Sequence, residues 1–215
     1  MADGNISEHE TAATQQQLDP RLAEADHRVA NSLNLAATML RMQRERTDDC
    51  AVRNAILSAE TRIVSIAKFH AYLHRREPQG RVALADFLRE TLPEVGAALG
   101  LHSLLAVNVS VPLNVPERVA RQLMIVLNEL ALNARKHGYG GQEGGCFSVE
   151  LDADSDALLK ISLRDSGNGL PDGFDPEKAD GLGLKIVTAL VHELGGSFSC
   201  HTDGGAHFTI SIPLE

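Results

Sequence analysis

The chain predicts an α+β protein in two parts: an N-terminal helical hairpin, then a mixed sheet with helices on one face. Three observations carry the prediction. From Leu18 to Leu73, apolar residues return at alternating steps of mostly four and three, the rhythm of helices with bundle-type seams. From Ser103 to Ile212, short segments alternate apolar and polar residues, the rhythm of half-buried strands. Between the two, Glu77-Pro78-Gln79-Gly80 ends the helical pattern and marks a boundary.

Residues 1 to 15 are polar and read as a disordered lead-in. Residues 16–78 form the hairpin. Leu18, Leu22, Ala25, Val29, Leu33, Ala36 and Leu40 set the seam of its first helix. Val52, Ile56, Ala59, Ile63, Ile66, His70 and Leu73 set that of the second, and the polar stretch Arg44 to Asp49 links them. Two helices bury one stripe each and leave a face open. A second copy of the chain closes it as a four-helix bundle, which predicts a homodimer. The alternative is a monomer whose hairpin packs on the C-terminal part.

Residues 79–215 form the second domain. Leu84 to Leu99 reads as a helix interrupted or kinked near Pro93, and Ser103 to Val111 as a strand. Pro116 to His137 is a long helix with Pro116 in its first turn. Phe147 to Asp152 and Ala157 to Arg164 pair around the turn-like Ala153-Asp154-Ser155-Asp156. Leu182 to Leu194 is a helix stopped by Gly195-Gly196, and Ser197 to His201 and His207 to Ile212 are closing strands.

Bulk composition narrows the function. Hydrophobic residues at 43% and charged residues at 23% describe an ordinary globular chain. A formal charge of −9 argues against nucleic acid or an anionic membrane as partner. Without Trp, and with aromatics at 4%, stacking platforms for single strands are not expected. No apolar run reaches the roughly 20 residues of a bilayer span, and Met1 to Gln17 has no signal-peptide core. The expected location is cytoplasmic, with no membrane and no nucleic acid. Cys50, Cys146 and Cys200 have no metal spacing and read as reduced thiols. No stretch of the chain reads as a sensor: either the sequence is a piece of a longer protein, or the signal comes from an upstream sensor protein.

Three short segments carry chemistry. In Glu129-Leu130-Ala131-Leu132-Asn133-Ala134-Arg135-Lys136-His137-Gly138, Glu129 and Asn133 share a helix face. The Asn133 carbonyl is a hard ligand suited to Mg2+, and Glu129 can polarise a metal-bound water. Lys136 and His137, near the same helix end, can meet phosphate oxygens. In Asp165-Ser166-Gly167-Asn168-Gly169-Leu170, Asp165 ends a strand and can accept from an adenine amino group, while Gly167 and Gly169 let backbone approach a flat base. In Gly181-Leu182-Gly183-Leu184-Lys185, two glycines open a helix whose free N–H groups favour phosphate, with Lys185 in the first turn. Each segment alone is also compatible with a polar helix end or a glycine turn.

The N-terminal helix adds His27. The seam places it opposite the core, with Glu24 and Asn31 one turn to either side and Asp26 and Arg28 beside it. Taken alone, an exposed helical histidine is a surface residue as readily as a nucleophile.

In their order and spacing, the three C-terminal segments resemble the N-box, D-x-G-x-G box and G-x-G box of the Bergerat-type ATPases. With His27-Arg28-Val29-Ala30-Asn31, the chain most resembles the HWE-related histidine kinases with an H-R-V-x-N phosphoacceptor motif. The likeness covers nearly everything after residue 17. It implies ATP and Mg2+ as cofactors, magnesium at Asn133 with Glu129 acting through water, adenine at Asp165, and a lid from Pro171 to Asp180. It implies an ATP-dependent protein-histidine kinase that phosphorylates His27 and passes the phosphoryl group to a response-regulator receiver aspartate. A neutral imidazole attacks the γ-phosphorus, a carboxylate at Glu24 or Asp26 orients the ring, Arg28 offsets phosphate charge, and Asn31 positions water or phosphate. The chain departs from the family at Ala30, where a Lys is common, at Asp26, where a second His is often found, and in lacking the HWE tryptophan. A second reading is a phosphotransfer adaptor with a vestigial ATPase-like domain.

Overall fold

A computed structural model describes residues 28–74, 80–109, 113–140, 144–154 and 158–214. The lead-in, the start of the first helix with Glu24, Asp26 and His27, and the break at Glu77 to Gln79 lie outside them.

Helix α1 covers 28–45 and α2 Cys50–His74. The link is shorter than the sequence suggested, because Arg44 and Glu45 remain helical. Asp49 caps α2: its Oδ1 accepts the N–H groups of Ala51 (2.7 Å) and Val52 (3.2 Å), two donors the first turn leaves free. The α1 face that is most covered runs through Ala30, Leu33, Ala37 and Leu40, one step round from the expected Val29, which is 41% exposed. Val52 is likewise exposed. The other seam positions of α2 are half-buried. Its most buried face is a different one, with Leu57, Thr61, Ser65, Phe69 and Tyr72. That face packs on the C-terminal domain, where the Phe87 ring meets Phe69 edge-on at 5.5 Å and Tyr72 at 4.8 Å. The sequence had offered this packing as the alternative to a dimer.

Strand β1 (Arg81–Ala83) leads into α3 (Leu84–Leu99). Helix α3 runs unbroken through Pro93, contrary to the expected interruption. Pro93 is on the solvent side, so water can take the backbone carbonyl its ring leaves unpaired. Gly100, at φ 65, ends the helix. Strand β2 (His102–Val109) follows, then β3 (Asn114–Pro116), which pairs antiparallel with β1. Helix α4 spans Glu117–Asn133 with Pro116 as its N-cap. It is shorter than expected, because Ala134–Gly138 continues as a π turn.

The remaining elements are β4 (Cys146–Asp154), β5 (Leu158–Asp165), α5 (Leu182–Glu193), β6 (Ser197–Thr202) and β7 (Ala206–Pro213). The main sheet has the order β2-β4-β5-β7-β6; β2 and β4 are parallel, the rest antiparallel. Phe147, Val149 and Leu151 on β4 face Leu159, Ile161 and Leu163 on β5 inside the core. Glu150, Asp152, Lys160 and Arg164 point to the open side. Helices α3, α4 and α5 cover the inner face. Helix α4 lies between α2 and α5, and its side chains are buried almost without a break from Gln122 to Leu132. That central helix carries the first functional segment.

Candidate functional site

The site forms where three chain ends meet: the C-terminal end of α4, the end of β5 and the start of α5. Burial fixes α4, so Glu129 and Asn133 are presented from a rigid base. Glu129 is 1% exposed. The π turn carries Lys136 and His137 onward to Gly138, whose backbone oxygen accepts the N–H of Asn168 at 3.1 Å. Burial lowers the Lys136 ammonium below its ordinary pKa; Glu129 pulls it back up and Arg62 adds to the lowering.

Asp165 is the last residue of β5 and is almost fully buried. Its Oδ1 accepts the N–H groups of Gly167 (2.9 Å) and Ala206 (3.1 Å), which fixes the carboxylate at the floor of a cavity. Gly167 is needed for a different approach from the one expected. A Cβ there would stand 2.4 Å from Gly138 Cα, so the bare backbone packs on the π turn rather than on a ligand. Gly169, at φ 76, sits against the Thr202 side chain. Tyr139 ties the region together. Its hydroxyl accepts the N–H groups of Cys146 (3.0 Å) and Ser166 (2.9 Å) and donates to the Cys146 carbonyl (2.5 Å).

The cavity over Asp165 measures about 610 Å³, the scale of a small-ligand site. Its deep end is apolar, with Leu170, Phe174, Leu184, Ala206 and Phe208 around the carboxylate. Pro171, Phe174, Ala179 and Asp180 of the expected lid segment form one wall. The other end is polar: Asn133, His137, Gly181 and Gly183. Those four residues also border a second cavity of about 330 Å³, which adds Lys136, Glu129 and, from α2, Ser58 and Arg62. The two cavities adjoin along these four residues, the first apolar with a buried acceptor, the second with the cations Lys136 and Arg62. Helix α5 begins at this second end with no side-chain cap on its first turn. Gly183 leaves room for Glu129, whose Oε2 would lie 2.7 Å from a Cβ at that position.

The structure thus brings Glu129, Asn133, Lys136, His137, Asp165, Gly167, Gly169, Gly181 and Gly183 together. Lys185 stands apart, because its side chain is exposed and lines neither cavity. Arg28 and Asn31 are exposed on α1; Glu24, Asp26 and His27 fall outside the described residues. Two contributors were not foreseen. Tyr139 carries no motif of its own. Arg62 donates to both oxygens of Glu129, Nε to Oε1 and Nη2 to Oε2 (the latter at 2.8 Å), from 67 residues away in the chain. A second polar cluster, His201, Asp203 and His207, lies on the open sheet face. Arg164 already fills it, donating to His207 Nδ1 (3.3 Å) and to Asp203 Oδ2 (2.6 Å).

Comparison with known proteins agrees with this geometry. Residues 24–97 match a family model described as histidine kinase, and residues 118–215 one described as histidine kinase-, DNA gyrase B- and HSP90-like ATPase. The sensor histidine kinase PdtaS of Mycolicibacterium smegmatis is 33% identical over 201 residues, covering 91% of this chain and 40% of that protein. Blue-light-activated histidine kinase 2 of Erythrobacter litoralis is 26% identical over 227 residues, covering all of this chain and 62% of that protein. The chain therefore spans about two fifths to three fifths of the length of these relatives. Among solved structures, the histidine kinase domain of the Erythrobacter litoralis EL346 blue-light activated histidine kinase aligns with a TM-score of 0.63 over 93% of each chain at 22% identity, a likeness of fold. With a histidine-kinase phosphoacceptor region followed by an ATPase domain of this type, the chain belongs to the HWE-related histidine kinases.

Proposed function

We propose that this chain is an ATP-dependent protein-histidine kinase of a two-component system, with residues 16–78 as phosphoacceptor hairpin and 79–215 as catalytic domain. The observation that carries the reading is the pair of adjoining cavities, one over Asp165 and one beside Lys136, that share Asn133, His137, Gly181 and Gly183. It matches adenosine triphosphate in sequence of chemistry: an acceptor in an apolar recess, then cations and helix N–H groups. Adenine sits against Leu170, Phe174 and Phe208 and gives its amino hydrogen to Asp165. The triphosphate runs past Asn133 and the start of α5 toward Lys136 and His137.

Magnesium fits the residues present. Asn133 Oδ1 and Glu129 Oε2, one turn apart on α4, both lie beside Gly183 at the start of α5, 3.7 and 2.7 Å from where a Cβ would stand there. Asn133 would supply an oxygen ligand and Glu129 would hold a metal-bound water; the ion would neutralise charge on the phosphate oxygens. Catalysis is positioning and electrostatics. The nucleophile is a neutral ring nitrogen of His27: a P–N bond forms, the bond from the γ-phosphorus to its bridging oxygen breaks, and ADP leaves. Glu24 or Asp26 takes or shares the proton on the other ring nitrogen. A receiver-domain aspartate then accepts the phosphoryl group.

The test is incubation with γ-labelled ATP and Mg2+. An acid-labile label on the protein is expected, with none on His27→Ala, while both forms gain melting temperature from Mg-ATP. Labelling of His27→Ala at the native rate would sink the assignment. The adaptor reading predicts no label from ATP and no thermal shift.

The hairpin supports a homodimer. Leu35, Met39 and Met42 are 59%, 55% and 56% exposed and follow one another at four and three residues along α1, on a face that neither α2 nor the sheet domain covers. A second copy placing the same stripe against it completes four helices. Met39→Lys with Met42→Lys is expected to halve the mass seen by light scattering. An unchanged mass in a folded double variant would reject the seam.

A further inference from the structure

The ion pair between Arg62 and Glu129 joins the hairpin to the catalytic site, and no motif accounts for it. Glu129 is the acid that the proposed kinase needs for a metal-bound water. Here both of its oxygens are taken by Arg62, with the carboxylate buried and the guanidinium partly open to the cavity beside it. Glu129 also presses on Gly183, the helix start beside the phosphate path, and Arg62 lines the same 330 Å³ cavity as Asn133 and Lys136.

The height of the contact along the hairpin matters as much. Arg41 and Arg44 of α1 both bind Glu60 of α2, at 2.8 and 3.1 Å. Arg62, two residues on, is therefore level with this part of α1. The cavity beside it is walled by Ala51, Asn54, Ala55 and Ser58, the half of α2 nearest the hairpin turn. Arg28 is thirteen residues before Arg41, or about 20 Å up the axis at 1.5 Å per residue. The predicted phosphoacceptor precedes Arg28 in the chain. A triphosphate in this cavity faces the turn end of its own hairpin, far below the end that carries the histidine motif.

We propose that Arg62 is a latch: it holds the catalytic domain at the turn end of the hairpin by occupying Glu129, and Mg-ATP opens it by claiming that carboxylate for the metal's water shell. This rests on the kinase reading of the site and adds how nucleotide loading frees the domain to move. Removing the guanidinium removes a competitor for Glu129, so it tightens metal-nucleotide binding. A phosphate-binding arginine would give the opposite sign, and a structural one no metal dependence.

The test uses the full chain carrying His27→Ala, so that binding is measured without turnover. With Mg2+, Arg62→Ala and Arg62→Gln are expected to bind the non-hydrolysable analogue AMPPNP about tenfold more tightly than the Arg62 form. In EDTA the three affinities are expected to agree within about twofold. In the Arg62 form, hydrogen exchange along α2 from Ser58 to Ser65 is expected to rise with Mg-AMPPNP and not with AMPPNP in EDTA. This last readout needs no Arg62 variant to fold. Weaker binding in both variants, affinities that do not depend on Mg2+, or exchange that Mg-AMPPNP leaves unchanged would overturn the latch. Failure of the kinase reading shows separately, as absence of label on the His27 protein while the analogue still binds.

Discussion

Asn133→Ala is expected to cut labelling of His27 a hundredfold to a thousandfold while leaving the protein folded and its melting temperature within about 2 °C. The two halves of that expectation have separate causes. Asn133 ends α4, is only partly buried, and its Nδ2 makes no hydrogen bond within the protein. Truncating an amide with no such partner removes no native bond, and helix propensity favours Ala over Asn by a few tenths of a kcal/mol. The loss falls on the ligand. Asn133 is the one neutral side-chain amide bordering both cavities, midway between the adenine recess and the cationic end. A single preorganised group stabilising transferred charge is worth roughly two to three powers of ten in rate. Labelling in single-turnover conditions measures this directly. Labelling within threefold of the native rate would mean that Asn133 holds no metal and that the phosphates lie elsewhere.

How much of this was legible before the structure depended on how local each signal is. Strands β4, β5 and β7 alternate apolar and polar residues, and the sheet follows from those periods. Strands β1 and β3 have three residues each, too short to show any period, and they escaped notice. On α2 the heptad rhythm found a real stripe and missed the more buried one. Ser58, Thr61 and Ser65 look like a solvent face, and only contact with a second domain buries them. The nucleotide segments were legible because each is a compact run at a chain end. Gly167 and Gly183 were found at the right places for partly different reasons: one admits the backbone of Gly138, the other the carboxylate of Glu129. Arg62 left no trace, because a pairing across 67 residues imposes no local pattern. Lys185 shows the converse: helix-start position suggested a phosphate ligand, and its outward direction leaves it in solvent.

Asp165→Ala is expected to weaken ATP binding at least a hundredfold and to lower the melting temperature by roughly 5–10 °C. The stability loss follows from the two N–H groups that Asp165 holds. Without the carboxylate, the Gly167 and Ala206 donors lose their acceptor, and the Ala206 N–H in a buried position has nowhere to turn. An orphaned buried donor costs about 1–3 kcal/mol, and each kcal/mol moves the midpoint of a domain this size by about 2–4 °C. The binding loss is larger than one hydrogen bond, because those donors also set the floor on which the base rests, with Phe208 two residues beyond Ala206. Asp165→Asn separates the two effects. Its amide oxygen can keep the backbone donors, so most stability returns, while its amide nitrogen adds a donor toward the base. A carboxylate only accepts, and so favours the amino group of adenine over the carbonyl of guanine. The expected result is a preference for ATP over GTP that is strong in the native protein and narrowed at least tenfold in Asp165→Asn, measured by competition against a fluorescent nucleotide. An Asp165→Asn protein that discriminates as well as the native one would place adenine recognition on other groups, and a stable Asp165→Ala with native affinity would remove the base from this cavity.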